Sequence, residues 1–376
     1  MTLPMPVIKE RAVRTALDLG AGAVRVASAS PDEPSRERMD AAFARGDFVT
    51  WGYDGAYANR ASNPATLLEN ARSILCIAVP YATPAPAQIP LRGRVSNYAW
   101  SADYHRRLGE LLRSTAAVID DAAGAPVTAI ACDTKPLAER AFAARAGLGW
   151  IGKHTNLITP GLGSFVFLGE IATTLDLPAD PPLRKSCGAC ARCSEACPTG
   201  ALRGDYTIDA ARCISDLTQR VDGIPVALRP LVGDWVWGCD ICQQVCPPTA
   251  ASPQSAGESW APLDSRTARP SLVALLTLRS AEFKRRYRKT AMGWRGAAVL
   301  RRNAAVALGN SLDRSTVGAL SESLDRDPNP MVRGHVAWAL GRIGSPPAFT
   351  ALRRRYAVEH DGAVRAEIAA ALEPAT

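Results

Sequence analysis

The sequence predicts a chain in three parts. These are an α/β N-terminal domain over residues 1–177, a two-cluster bacterial ferredoxin-like domain over 178–262, and an all-α domain of HEAT-like repeats over 263–376. Three observations predict it. Strand-like and helix-like patterns alternate through the first part, as in a layered α/β domain. Eight of the ten cysteines fall between Cys187 and Cys246, and the first four follow the spacing C-x2-C-x2-C-x3-C-P of bacterial ferredoxins. Beyond residue 300 a short Arg/Ala/Leu/Gly pattern recurs, the sign of stacked helix pairs.

In the first part, residues 73–79 form a continuous apolar run ending at Pro80, which reads as a buried strand. Residues 104–123 have helical periodicity and stop at Gly124. Residues 127–132 read as a second strand and 164–171 as a third. Between them, 136–146 reads as a helix with Pro136 in its first turn and Gly147 past its end. Residues 80–90 are a Pro/Ala-rich loop, and 177–182 a Pro-rich linker. Cys76 and Cys132 lie inside apolar runs and read as small core residues.

The cysteine-rich part carries Cys187, Cys190, Cys193 and Cys197-Pro198, then Cys213, then Cys239, Cys242 and Cys246-Pro247. Three closely spaced thiolates hold one four-iron cluster, and the fourth, before proline, reaches the other cluster. The expected ligand sets are therefore Cys187, Cys190, Cys193 and Cys246 for cluster 1, and Cys197, Cys213, Cys239 and Cys242 for cluster 2. The long insertion 214–238 separates two ligands of the second set, so it is expected to have structure of its own. Disulfides need an oxidising compartment, and residues 1–13 have no apolar secretory core. Structural zinc uses separated C-x2-C pairs, whereas here a third cysteine follows after two residues. Free thiolates imply the cytoplasm, and no apolar run approaches the ~20 residues that span a bilayer.

Formal net charge is +8, unevenly placed. Residues 266–376 carry 19 Lys and Arg against 9 Asp and Glu, a net +10, so the remainder is slightly acidic. The densest run is Lys284-Arg285-Arg286-Tyr287-Arg288-Lys289, with Arg301 and Arg302 beyond it. Clustered cations with an interleaved tyrosine suit a phosphate backbone; the alternative is a solvated helix face. In the repeats, Arg302–Gly309 is echoed at Arg333–Gly341 and more weakly at Arg365–Leu372, with offsets of 31 and 32 between the arginines.

Two motifs invite over-reading. Gly147-Leu-Gly-Trp-Ile-Gly152-Lys153 matches G-x-G-x-x-G, but it follows a predicted helix rather than a strand, and His154 stands where a P-loop needs Ser or Thr. Asp103-Tyr-His105 is close to the D-x-H-x-x-G pattern of corrinoid proteins, but Gly109 comes one position late, and the match reads as coincidence. Asp133 has two readings. It follows a strand at the end where open α/β sheets place their chemistry, so a desolvated carboxyl there could donate a proton. It also precedes a predicted helix that it could cap.

Taken in order, several segments resemble the epoxyqueuosine reductases of tRNA modification. They are Val95-Ser-Asn-Tyr-Ala with Asp103-Tyr-His105, Asp133 with Leu137-Ala-Glu-Arg140, Ala146–His154, Gly163–Glu170, both cysteine sets, Arg212-Cys-Ile-Ser215, Ile224-Pro225, Leu228-Arg-Pro230, Gly238–Gln243 and Arg302–Asn310. The resemblance covers nearly the whole chain. It departs at Ser101-Ala102, where the family commonly has Gly-Arg, and at Arg60-Ala-Ser-Asn-Pro64, where it has Arg-x-Arg-Pro.

The resemblance implies a cobalamin-binding N-terminal domain and reduction of epoxyqueuosine at the wobble position (34) of a tRNA anticodon, the last step to queuosine. Electrons would pass through the two 4Fe-4S clusters to cobalamin, with Asp133 as proton donor. Ser96, Tyr98, Asp133, Lys153, His154, Asn156, Ser215 and Asp240 lie in the segments expected to line the cobalamin. Lys284, Arg285, Arg286 and Arg302 are the expected tRNA contacts. An unidentified low-potential donor, a monomer and no membrane partner complete the expectation. The rival readings are a cobalamin/iron–sulfur reductive dehalogenase-like reductase of a small molecule, which has no use for basic repeats, and a non-enzymatic electron-transfer protein, which has no use for a corrinoid.

Overall fold

The computed structural model describes residues 3–253 and 263–373; the expected boundary after residue 262 falls outside them. The chain divides into two compact units, each assembled from separated segments. The first holds the chain up to Pro84, Asp103–Ala211 and the segment beginning at Ile241. The second holds Ala85–Ala102, Arg212–Asp240 and the C-terminal helices.

The first unit is built on a four-stranded sheet. Its strands are β1 (Ala23–Ser28), β2 (Ser73–Pro80), β3 (Thr128–Ala131) and β4 (Val166–Thr173), in the order β1-β2-β4-β3. Helices and strands alternate along the chain as expected, but every neighbouring pair of strands is antiparallel. The central position of β2 explains its uninterrupted apolar sequence: residues 73–79 are all buried. The helix Tyr104–Ala123 starts at Asp103, whose carboxylate accepts from the His105 N–H, and ends on the left-handed Gly124.

Successive residues of β4 point to opposite faces. Gly169 lets that helix close on the sheet, since a Cβ there would lie 2.9 Å from Leu112. Glu170 points the other way, into an apolar cluster formed by Ile74, Cys76, Ala131, Phe142 and Leu148. Cys76 and Cys132 are buried core residues, as expected.

The predicted helix 136–146 is shorter, Glu139–Arg145, because residues 133–138 form a turn that carries Asp133. The glycine run does not open a helix either. It leads into a hairpin, Trp150–Ile151 with Leu157–Ile158. Its glycines serve close backbone packing: a Cβ on Gly147 would lie 2.2 Å from the Pro181 carbonyl oxygen, and one on Gly149 2.4 Å from that of Ile158.

In the second unit the helices Ala297–Ser311, Pro330–Ile343 and Gly362–Leu372 pack in sequence, with Val317–Arg326 and Pro346–Tyr356 between them. The last small residue of each motif sits where helices touch. A Cβ on Gly309 would lie 2.8 Å from Ala339, and one on Gly341 2.7 Å from Ala371. The ion pairs Arg301–Asp327 and Arg333–Glu359 are equivalents. Both features give a repeat of 32 residues, so Arg301, Arg333 and Arg365 correspond, and Arg302 stands outside the series.

The insertion is structured, with the helices Ile214–Gln219 and Arg229–Val232 and a strand Trp235–Trp237 that pairs in parallel with Arg94–Val95. Repeat side chains hold it. Asn303 Nδ2 donates to the Thr218 and Val236 carbonyls. Asn310 donates to those of Arg229 and Gly233. Arg229 makes a two-pronged pair with Glu367.

Candidate active site

Asp133 sits on the turn after β3 with a φ of 56°, left-handed and unusual for a residue with a side chain. It is not a helix cap: the cap position is Ala138, five residues on. Its backbone N–H instead donates to Glu139 Oε1. Its carboxylate is exposed on one side. On the other it accepts from the Tyr104 hydroxyl at 2.9 Å and lies 3.4 Å from His105 Nε2. His105 Nδ1 in turn lies 2.6 Å from Asp103.

An aromatic stack holds this end of the helix in place. Tyr81 packs on Phe167 at 4.3 Å, Phe167 on Tyr104 at 4.3 Å, and Tyr104 on His105 at 4.1 Å. Burial opposes a charge on His105, but hydrogen bonds to Asp103 and Asp133 outweigh it and push its pKa up to about 9. The same contact with His105, ahead of the opposing burial, holds Asp133 below the usual carboxylate range. At neutral pH the group is therefore an imidazolium between two carboxylates. The sequence marked Asp103-Tyr-His105 as a near-match to a corrinoid motif and as part of the family resemblance, without assigning it a role. Its actual role is to seat Asp133. Tyr53 and Tyr57, stacked at 4.2 Å, also feel the charge of Asp133, and nothing in the sequence pattern marked them.

The hairpin presents Lys153, His154 and Asn156 in the same unit. The Lys153 N–H lies 3.4 Å from Cys187 Sγ. His154 is buried; its Nδ1 accepts from the Asn156 N–H, and its Nε2 has no partner among the described residues. Burial drives the pKa of His154 down to about 4, so the ring is neutral, and with Nδ1 accepting, its proton sits on Nε2, which is left to donate.

The other expected cofactor residues lie together in the second unit. Asp240 is buried and accepts from the Ser96 hydroxyl and the Asn97 N–H. Burial raises its pKa to about 6. Tyr98 accepts from Trp237 and reaches Gln219, which donates to Ser215. This network braces the turn 96–98 against the insertion.

None of the ten cysteines, all of them described, forms a disulfide. Cys187, Cys190, Cys193 and Cys246 all lie in the first unit. Burial and the nearby Cys187 and Cys246 sulfurs raise the Cys193 thiol, while burial and the Cys187 and Cys190 sulfurs raise Cys246. Four neighbouring thiols, with Cys193 and Cys246 buried, Cys187 half-buried and Cys190 exposed, fit a cluster near the surface. Burial disfavours charge on Cys197, but the Thr199 hydroxyl and the backbone N–H groups of Leu202, Ala201 and Thr199 reverse that and lower its pKa. Such a sulfur is ready to ligate. Of the rest of the second set, Cys242 lies in the first unit and Cys213 and Cys239 in the second.

Comparison with known proteins decides the family. An epoxyqueuosine reductase of Bacillus anthracis is 33% identical over 97% of both chains. The chain belongs to the epoxyqueuosine reductase family. The Bacillus subtilis epoxyqueuosine reductase is 32% identical over 97% of this chain and 95% of its own. Three sequence profiles match in order: epoxyqueuosine reductase QueG over residues 61–134, a 4Fe-4S double cluster binding domain over 186–249, and HEAT repeats over 296–373. A solved epoxyqueuosine reductase bound to an epoxyqueuosine-modified tRNA-Tyr stem loop superposes with a TM-score of 0.92 at 32% identity, over 98% of this chain and 99% of that one. A Bacillus subtilis structure of the family, with its catalytic aspartate loop swung out of the active site, gives 0.91 at 31% identity over 98% and 99%.

Within this family member, Lys284 and Arg285 are exposed, on the helix Ser280–Arg286 and beside the exposed Arg288 and Lys289. Arg286 is half-buried and pairs with Glu282 at 3.0 Å. Arg302 corrects the sequence reading. It is fully buried, donating to the carbonyls of Leu217, Arg220 and Asp222 and to Asn303 Oδ1. A buried guanidinium spent on backbone carbonyls cannot meet a phosphate, so Arg302 is a brace for the insertion. No described helix is long and apolar enough to cross a membrane.

Proposed function

We propose that the chain is an epoxyqueuosine reductase acting on tRNA, converting the wobble-position epoxyqueuosine to queuosine in the cytoplasm. The observation that carries this reading is the exposed carboxylate of Asp133, seated by Tyr104 and His105 on a left-handed turn, in a chain that shares its family across nearly its full length. We assign residues 1–177 to the catalytic domain, 178–262 to the cluster domain and 263–376 to the RNA-binding repeats.

Removing an epoxide oxygen as water consumes two electrons and two protons, and both carbon–oxygen bonds break. Cys187, Cys190, Cys193 and Cys246 would hold one 4Fe-4S cluster and Cys197, Cys213, Cys239 and Cys242 the other; when bound, the clusters would supply one-electron transfer from an external low-potential donor. Cobalamin, when bound, supplies the centre at which two electrons reach the substrate. The buried nitrogens of His154 and Trp150, unpartnered among the described residues, fit the amide-rich rim of such a group, with Lys153 and Asn156 beside them. Ser96, Tyr98, Ser215 and Asp240 are further proposed contacts, acting through the turn they brace.

Asp133 protonates the departing oxygen, relaying one proton from His105 and taking the second from solvent at its exposed face. Because its carboxyl is held ionised, the proton resides at rest on His105 and passes along the 3.4 Å contact as the oxygen leaves. Asp103 keeps the imidazole ring oriented for that transfer. Lys284 and Arg285 contact stem phosphates. The base must leave the anticodon stack to reach Asp133.

The deciding experiment is mass spectrometry of tRNA from a strain lacking this chain. Epoxyqueuosine accumulates there, and the wild-type gene clears it while Asp133→Ala does not. Unchanged queuosine in the deletion strain sinks the assignment.

A further inference from the structure

The mechanism leaves two carboxyls unused directly behind Asp133. Glu170 lies in the middle of β4, paired in register with Cys76 of β2 and Ala131 of β3, and is wholly buried. Neither of its oxygens has a conventional hydrogen-bond partner among the described residues. An acid in the middle of a sheet, facing an apolar cluster, weakens the core unless it has a task. The group it meets is the side chain of Glu139. Glu139 opens the helix Glu139–Arg145, and its Oε1 receives the N–H of Asp133.

We propose that Glu139 is the latch of the Asp133 loop, holding the left-handed turn through the Asp133 N–H, and that Glu170 is a neutral buried acid whose proton keeps Glu139 in place as acceptor. This rests on the functional reading above only in calling the loop catalytic.

Two carboxyls this close cannot both ionise. Glu170 is the more deeply buried, and burial raises its pKa far above the ordinary value, with the charge of Glu139 adding to it. Glu139 is the member of the pair that takes the negative charge, and it does so as pH rises above 7. Burial raises its pKa to about 7, the charge of Asp133 raises it too, and the Asp133 N–H, Arg140 and His105 oppose the rise. Among the described residues, the other ionisable groups around the pair are the Cys76 and Cys132 thiols and the Tyr57 hydroxyl, all driven upward by burial and so neutral, and Arg145 beyond Cys76. A hydrogen bond to a carboxylate is about twice as strong as one to a neutral acid. The latch is therefore tight above pH 7 and loosens as pH falls through 7, when Glu139 gains its proton. The arrangement supplies the acceptor that a strained non-glycine turn needs in order to persist.

The test is hydrogen–deuterium exchange of residues 132–138 in the cluster-loaded protein between pH 6 and 8, corrected for intrinsic rates, together with kcat and KM on an epoxyqueuosine stem loop. Wild type is expected to protect the segment about tenfold better at pH 8 than at pH 6. Glu139→Ala loses the protection at both pH values, and kcat falls at least tenfold with KM and cluster absorbance unchanged. Glu139→Gln retains an acceptor and the side-chain volume, so it keeps protection that no longer varies with pH; it carries the test if the alanine variant does not fold. Glu170→Gln keeps a donor and behaves as wild type, whereas Glu170→Leu removes it and moves the pH of release upward. Equal protection in wild type and Glu139→Ala overturns the latch, and identical behaviour of Glu170→Gln and Glu170→Leu overturns the role of the shared proton. Loop exchange is read in the free protein. A latch that behaves as described in a chain that leaves epoxyqueuosine intact would refute the functional reading and not the latch.

Discussion

Asp133 holds a backbone angle that side chains disfavour, and the residues around it explain why it is tolerated. Its N–H is taken by Glu139, and its carboxylate by Tyr104 and His105. Asp133→Asn preserves shape and removes the acid, so turnover is expected to fall by about 10²–10⁴-fold, with cluster absorbance and stem-loop affinity unchanged; normal turnover removes Asp133 from the chemistry. His105 gives a pH signature. Its folded pKa is raised to about 9, so its proton is present below the ordinary histidine value and is lost as pH rises through 9. The reductase is expected to lose kcat along an alkaline limb near pH 9. Asp103→Asn removes one of the two carboxylates that hold the imidazolium, so that limb moves toward neutrality, as a pH–rate profile on the stem loop will show. A limb unmoved by the substitution rules out His105 as the titrating group.

Elements were legible where local pattern and tertiary demand agree. The helix Tyr104–Ala123 follows its apolar periodicity and stops at its glycine as expected. The strand Ser73–Pro80 is a continuous apolar run because it is central in the sheet. Legibility fails around the active site. The helix expected from Pro136 begins at Glu139, because the intervening residues build the Asp133 turn. Antiparallel pairing left no local mark, since strand direction is decided by packing. Nor could the pattern show that Asp103 and His105 meet a residue about thirty positions away. In the repeats, the Arg/Ala/Leu pattern identified the architecture, but only the packed glycines and ion pairs fix the 32-residue period. Gly309→Val tests that packing. Its Cβ would already lie 2.8 Å from Ala339, so destabilisation of about 1–3 kcal/mol or more is expected, measured by denaturant unfolding. Gly318, with no atom near its missing Cβ, is the control.

At the scale of the whole molecule, the C-terminal positive charge has two uses that the sequence could not separate. Arg302 is sealed among backbone carbonyls, and burial lowers its pKa to about 9. Lys284 and Arg285 are exposed and free to meet a polyanion. The two kinds of cation predict opposite behaviour. Arg302→Met strands the buried Leu217 carbonyl and removes the bonds to the Arg220 and Asp222 carbonyls, and is expected to cost roughly 1–3 kcal/mol, seen as a lower unfolding midpoint. It leaves the salt dependence of stem-loop binding intact wherever the variant stays folded. The double variant Lys284→Glu/Arg285→Glu leaves the unfolding midpoint within about 0.5 kcal/mol of wild type, as surface changes do. It weakens stem-loop binding and lowers the slope of log K against log salt by about 1 for each phosphate no longer neutralised. Binding titrations between about 50 and 200 mM salt measure that slope. A slope unchanged in the double variant, or reduced in Arg302→Met, reverses the assignment and returns the RNA-binding role to the buried arginine's helix.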